Sequence, residues 1–254
     1  MTARVSWPDR LRGLAIPAAL LLLWQWAAHH STAYAYAFVP FEQVWRGAVQ
    51  ALESGGLLPN LGASLARTCA GLLIGSVLGL ALGGVLAMST LADKLAGTLF
   101  HALRQVPLLA WAPLIGLWFG NSEPARLLVI SLAALYPVTL NTFEGLHQAE
   151  SRHLELASLY QLTAWQQFWR VRLPAALPHV FTGLMHALTF AWISAVGAEM
   201  LFSAGPGIGS MMLTAETNQQ MEIVLICVIT ISAMGTLMNH ALTLAARRLL
   251  RWHR

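Results

Sequence analysis

Glu199 is a carboxylate set in an apolar run, LTFAWISAVGAEM, just ahead of the glycine-rich SAGPGIGS. An ionisable side chain in a segment apolar enough to span a bilayer is costly to place and by default has a task. Two tasks are open to Glu199: lining a transport path or gate, or making a structural hydrogen bond to the next loop. Trp192 stands in the same run and is a further candidate for lining that path. Arg104 falls in FHALRQVPLLAWAPLIGLWFG together with Pro107 and Pro113, and Asn141 falls late in YPVTLNTF. Prolines inside a span free backbone carbonyls, which is tolerated where the helix is buried or lines a cavity. That stretch therefore reads as a broken helix beside a translocation path, with Arg104 and Asn141 as path residues. The alternative is an interface segment with Arg104 snorkelling to the headgroups.

Covalent chemistry finds no set of residues to work with. The nine histidines are scattered, with no HxxxH or HExxH pairing to hold a metal. Cys69 and Cys227 both lie in apolar runs and read as small buried residues rather than a disulfide or metal pair. No GxxxxGK[ST] loop is present, and the single lysine, Lys94, follows no glycine-rich turn. No catalytic residue, metal or cofactor is expected on this chain. A self-contained ion-coupled carrier would want several acidic or basic partners near mid-span, and Glu199 alone is a weak candidate. A membrane-embedded enzyme would want a convergent His/Asp/Glu or Ser/His set.

The elements that position these residues are set by composition. Of 254 residues, 57% are hydrophobic and 10% charged, too few charges to cover a soluble globule. Six apolar stretches can be marked: about 14–28, 61–88, 97–119, 127–143, 177–202 and 223–246. The chain reads as an all-α polytopic membrane protein of six spans and one domain. Arg4, Arg10 and Arg12 before the first stretch, with AYAYA after it, also fit a signal peptide; five further spans favour an anchor. With both termini cytoplasmic, twelve of the fifteen Lys and Arg residues lie inside and only Arg46, Arg67 and Arg126 outside. The excess of basic residues is thus a membrane collar and not a nucleic-acid groove. In the second stretch Gly71, Gly75, Gly79 and Gly83 recur every four residues, a stripe that admits a close helix neighbour.

Between the fourth and fifth stretches, roughly 147–174, lies one long polar interruption on the cytoplasmic side, ending ELASLYQLTAWQQFWRVRLPAALP. It reads as a short helix, a turn and a second short helix, a stub suited to docking a cytosolic partner. Here the chain resembles the permease subunits of ATP-binding-cassette importers, whose motif is Glu-Ala-Ala, three residues, Gly, nine residues, then Ile-x-Leu-Pro. Glu155, Leu156, Ala157, Gln161, Leu173 and Pro174 keep that spacing. PLLAWAPLIGLWFG, YPVTLNTFEGL, LPAALPHVFTGL, LTFAWISAVGAEM and GPGIG further resemble the branch serving nitrate, taurine and aliphatic sulfonates, over about 61–213.

The resemblance implies the type I importer permease fold in the bacterial inner membrane. It also implies a coupling helix seated on a cytosolic ATPase that binds ATP and magnesium, a second permease copy and a periplasmic substrate-binding protein. The substrate would be a small anion such as a sulfonate, taurine or nitrate, moved by alternating access. Two positions depart from the motif: Leu156 replaces its first alanine and Gln161 its glycine. A left-handed glutamine costs about 1–2 kcal/mol, so either the turn is reshaped or the first short helix runs on.

Overall fold

The computed structural model describes residues 7–30, 38–147, 160–202 and 205–249. Among these residues the secondary structure is wholly helical. The helices are α1 (Trp7–His30), α2 (Phe41–Glu53), α3 (Leu57–Met88), α4 (Thr90–Leu103), α5 (Leu108–Phe119), α6 (Glu123–His147), α7 (Trp165–Leu201), α8 (Ile208–Thr217) and α9 (Met221–Leu249).

Four of them, α3, α6, α7 and α9, are each long and apolar enough to cross a membrane. The third apolar stretch falls on a bent pair of helices: α4 and α5 meet at 92°, the geometry of a broken span or of a re-entrant loop. Pro107 explains the break, since it lacks an N–H and biases the preceding residue away from helix. Pro113 falls in the first turn of the helical segment that starts at Ala112, where a missing N–H costs little. The first stretch forms a 24-residue helix, which is not among the four spans and the bent pair found among the described residues. Its candidate cleavage site lies outside the described residues. Helix α7 starts well before the expected Leu177. The second short helix of the polar interruption runs straight into it through a π-helical turn at Phe168–Arg172.

The chain forms two compact units. In the smaller, Met1–Leu58 with Met212–Ile229, Trp24 Nε1 donates to Val39 O at 3.0 Å and Gln25 Nε2 to Glu42 Oε1 at 3.0 Å, tying α1 to α2. Gly47 of α2 lies so near α9 that a Cβ would sit 3.1 Å from both Glu222 Cγ and Ile226 Cδ1.

The larger unit, Pro59–Met211 with Thr230–Arg254, is built around α6. One face of α6 receives the glycine stripe of α3. A Cβ on Gly71 would collide with Ile130, on Gly75 with Ser131 O and Ala134, and on Gly79 it would lie 2.9 Å from Val138 Cβ. On Gly83 it would lie 2.6 Å from Thr139 O. The other face of α6 receives a second small-residue stripe from α7. Gly183 abuts Asn141 and Pro137 O, and Ala187, Ala191 and Ala195 pack against Ile130, Ala134 and Val138. Lipid is as apolar as leucine, so such helices associate by close backbone approach rather than by hydrophobic exclusion. The outward face of α3 leaves Leu73, Ile74, Val77 and Leu78 exposed. Cys227 is buried as its apolar run suggests, but Cys69 is exposed, because it falls on α3 away from the glycine stripe. Both thiols are free.

Candidate functional site

Glu199 ends up at the centre of a buried polar cluster where α3, α6, α7 and α8 meet. Its carboxylate is wholly buried. Arg67 Nη1 of α3 donates to Oε1 at 2.7 Å, and Gly209 N of α8 donates to Oε2 at 2.9 Å. Ser64 Oγ lies 2.7 and 2.8 Å from the two oxygens and itself accepts from Ile208 N at 2.9 Å. Arg67 turns its other edge to Glu123 at the start of α6, with Nε at 2.7 Å and Nη2 at 2.6 Å from carboxylate oxygens. Arg126, also fully buried, donates through Nε to Phe202 O at 2.8 Å and approaches Glu123 at 3.4 Å. Two arginines and two glutamates thus balance to zero formal charge, with the buried Arg67, Arg126 and Glu199 completed by Glu123 at the exposed edge of the cluster.

The glycines after Glu199 are the condition for this closeness. A Cβ on Gly207 would strike the Glu199 carboxylate, and one on Gly209 would strike Val196 O. Gly207 N also donates to Asn60 Oδ1 at 2.7 Å. Gly205 sits at φ 123°, a backbone state open to glycine at little cost. Glu199 is therefore hydrogen-bonded to the glycine-rich segment after it, one of the two tasks open to it. The expected set omitted its partners. Arg67, Glu123 and Arg126 were readable as ionisable residues inside or at the mouth of apolar segments, but counting the arginines only as loop charges hid that role.

Trp192 of α7 is 5% exposed and donates Nε1 to Ile231 O of α9 at 3.1 Å. It borders a cavity of about 250 Å³ with Asn239, Thr236 and Gly235. Asn141 is turned onto its own helix, Nδ2 to Pro137 O at 2.8 Å, which covers a carbonyl in the turn after the proline. Arg104 stands at the break between α4 and α5, on the wall of a second cavity of about 360 Å³. The structure does not gather Arg104, Asn141, Trp192 and Glu199 at one place: Arg104 and Trp192 line different cavities and Glu199 lies in the polar cluster.

Of the motif residues, Glu155, Leu156 and Ala157 lie outside the described residues. Gln161 adopts φ 52°, so the left-handed turn is kept without glycine. A capping box fixes the start of the next helix. Thr163 N donates to Gln166 Oε1 at 3.0 Å, and Gln166 N donates to Thr163 Oγ1 at 3.3 Å. Leu173 and Pro174 then carry the π-helical turn into the rest of α7. Among the described residues no group of His, Cys, Asp or Glu could hold a metal ion.

Comparison with known proteins agrees with this architecture. Residues 71–251 match the family described as binding-protein-dependent transport system inner membrane component. The Bacillus subtilis (strain 168) permease SsuC, named for aliphatic sulfonates transport, is 32% identical over 98% of this chain and 89% of its own length. The nitrate import permease NrtB of Leptolyngbya laminosa is 34% identical over 76% of this chain and 69% of its own length. The bicarbonate transport system permease CmpB of Synechococcus elongatus is 29% identical over 97% and 93%. Among solved structures, an inward-facing conformation of the MetNI methionine ABC transporter shares the fold, with TM-score 0.59 at 17% identity, over 77% of this chain and 94% of that one. A bundle held by glycine stripes, a sharply bent helix pair in its third apolar stretch and a match over most of its length place this chain in the family of binding-protein-dependent transport system inner membrane components, the permease subunits of ABC importers.

Proposed function

We propose that this permease carries a small, singly charged oxyanion inward, with a second copy of itself completing the path. The observation that carries the substrate class is the set of names borne by its relatives: aliphatic sulfonates, nitrate and bicarbonate. All three are compact anions whose charge is spread over oxygens around one central atom.

The permease itself does no covalent chemistry. Hydrolysis belongs to a separate ATPase subunit, and delivery to the binding protein on which the family's transport depends. In the proposed cycle the ATPase holds ATP and magnesium and draws the two coupling segments, 147–174, together. Helices α3, α6 and α7 respond as one body, because their backbones are interlocked too closely to slide apart singly. Both termini face the cytoplasm in this reading, so a reporter fused after Arg254 is active only inside.

The test is reconstitution in vesicles with the ATPase and binding protein, following uptake of labelled nitrate, bicarbonate and an alkanesulfonate. Uptake of at least one, dependent on both ATP and the binding protein, is expected. Ala157→Trp should overfill the docking contact at a cost of about 1–3 kcal/mol, weakening ATPase retention roughly 5- to 150-fold. Uptake driven by an ion gradient without ATPase would establish the carrier reading instead.

A further inference from the structure

The cavity at the break between α4 and α5 has a composition that the fold does not require. It holds about 360 Å³, room for about a dozen waters at ~30 Å³ each, or for an anion of a few heavy atoms with part of its hydration shell. Arg104 and Gln105 supply polar groups from the break itself, Tyr136 and Pro137 come from α6, and Leu140 and Phe190 are among the apolar residues that close the wall. Among the described residues no carboxylate lines it.

Arg104 differs from Arg67 and Arg126 of the polar cluster. Arg67 and Arg126 are neutralised by Glu199 and Glu123. Arg104 is half-buried and makes no ion pair with a described carboxylate. Its Nε donates to His101 Nδ1 at 3.2 Å, which orients the guanidinium. Its terminal Nη groups have no hydrogen-bond partner among the described residues. A planar fork of donors, weakly hydrated and permanently charged, is matched to a trigonal oxyanion that can accept two parallel hydrogen bonds.

We infer that this cavity is an oxyanion subsite, with the Arg104 guanidinium as its charge and Gln105 as its second polar group. The inference deepens the proposed function, since it assigns that substrate class a place within the chain. Half-burial keeps the site weak, as a site on a path must be if the ion is to leave. A phosphate of a lipid headgroup offers the same chemistry, and the experiment separates the two sources.

The full permease–ATPase complex, with Cys69 and Cys227 replaced and Leu140→Cys introduced, is placed in nanodiscs of phosphatidylcholine. Thiol modification is timed with two methanethiosulfonates of similar size, one bearing a sulfonate and one a trimethylammonium group. The anionic reagent is expected to react at least about fivefold faster, the preference set by a nearby fixed positive charge. Arg104→Gln should erase that preference, Arg104→Lys should keep part of it, and free nitrate or methanesulfonate should slow labelling where chloride of equal ionic strength does not. A preference unchanged in Arg104→Gln overturns the inference, as does an introduced thiol inert to both reagents. Protection that follows lipid content and is not deepened by free anion overturns it in favour of a headgroup. Labelling does not depend on transport, so a complex that imports no oxyanion but keeps the Arg104-dependent preference defeats the proposed substrate and leaves the subsite standing.

Discussion

Replacing Glu199 separates a structural role from a transport role, and the cluster geometry sets the size of the effect. The wild-type carboxylate takes a guanidinium at 2.7 Å, a backbone N–H at 2.9 Å and the Ser64 hydroxyl, with no exposure to solvent. Glu199→Ala removes an acceptor from all three donors and leaves two buried arginines facing Glu123 alone. Loss of one partner from a buried pair costs about 3–5 kcal/mol. Glu199→Gln retains one oxygen for Gly209 N–H but turns an amide NH2 toward donors. Arg67 still holds Glu123 through short contacts at 2.6 and 2.7 Å. Since hydrogen bonds to charged groups are worth about 1.5–3 kcal/mol, the glutamine variant should lose roughly 2–3 kcal/mol, less than alanine.

The assay is unfolding by dodecyl sulfate in mixed micelles, read by circular dichroism, with uptake per folded molecule measured in parallel. A structural Glu199 predicts stability losses in the order Ala, then Gln, with uptake per folded molecule near wild type in Glu199→Gln. The Arg67→Gln, Glu199→Gln double variant should be less damaged than the sum of the single ones by at least about 1 kcal/mol, because the two groups are in direct contact. A loss under about 1 kcal/mol in Glu199→Ala would refute the assignment. Normal stability with abolished uptake in Glu199→Gln would instead place the carboxylate on the path.

Adjacent glycines of α3 offer an internal control for the stripe. A Cβ on Gly83 meets Thr139 O at 2.6 Å whereas one on Gly84 meets nothing within 4 Å, so Gly83→Ala should lose about 1–3 kcal/mol and Gly84→Ala gain about 0.5–1 kcal/mol in the same unfolding assay. Gln161 at φ 52° is an exposed residue in a left-handed turn, so Gln161→Gly should stabilise the coupling segment by about 1 kcal/mol, seen as slower proteolysis there with ATPase retention kept. Loss of the ATPase in that variant would show that the glutamine side chain itself makes the contact.

The helices were legible where a short period carries the information. Gly71, Gly75, Gly79 and Gly83 announce a close neighbour by their spacing alone, and Pro107 announces the break that became the 92° bend. The matching stripe on α7 was less visible, because it is made mostly of alanines, which recur throughout the chain and mark no single face by their type. Only Gly183, tight against Asn141 and Pro137 O, breaks that uniformity. The turn at Gln161 was open between two outcomes, and the left-handed one is held from its far side. The Thr163–Gln166 capping box starts the next helix at a fixed residue.

The polar cluster was the least legible part, for a reason that belongs to tertiary structure. Charge counting treats an arginine near the end of an apolar stretch as a loop residue, and its output depends on where the helix is taken to begin. Helix α3 starts at Leu57 and α6 at Glu123, four residues earlier in each case than the apolar stretches suggest. The extra turn of α6 sets Glu123 and Arg126 at the mouth of the bundle, whereas Ser64 and Arg67 already fall within the marked stretch of α3. Each arginine then finds a partner across a large gap in sequence, Arg67 with Glu199 and Arg126 with Phe202 O, a pairing that no local period encodes. What the sequence does carry is the requirement: three ionisable residues that become buried, Arg67, Arg126 and Glu199, need a second carboxylate, Glu123 at the exposed edge, to balance their charge and a glycine-rich segment to supply N–H donors. Glu199, Arg67, Arg126 and Glu123 satisfy that requirement only as a set, and this is why one residue of the four, seen alone, could be read equally well as a gate.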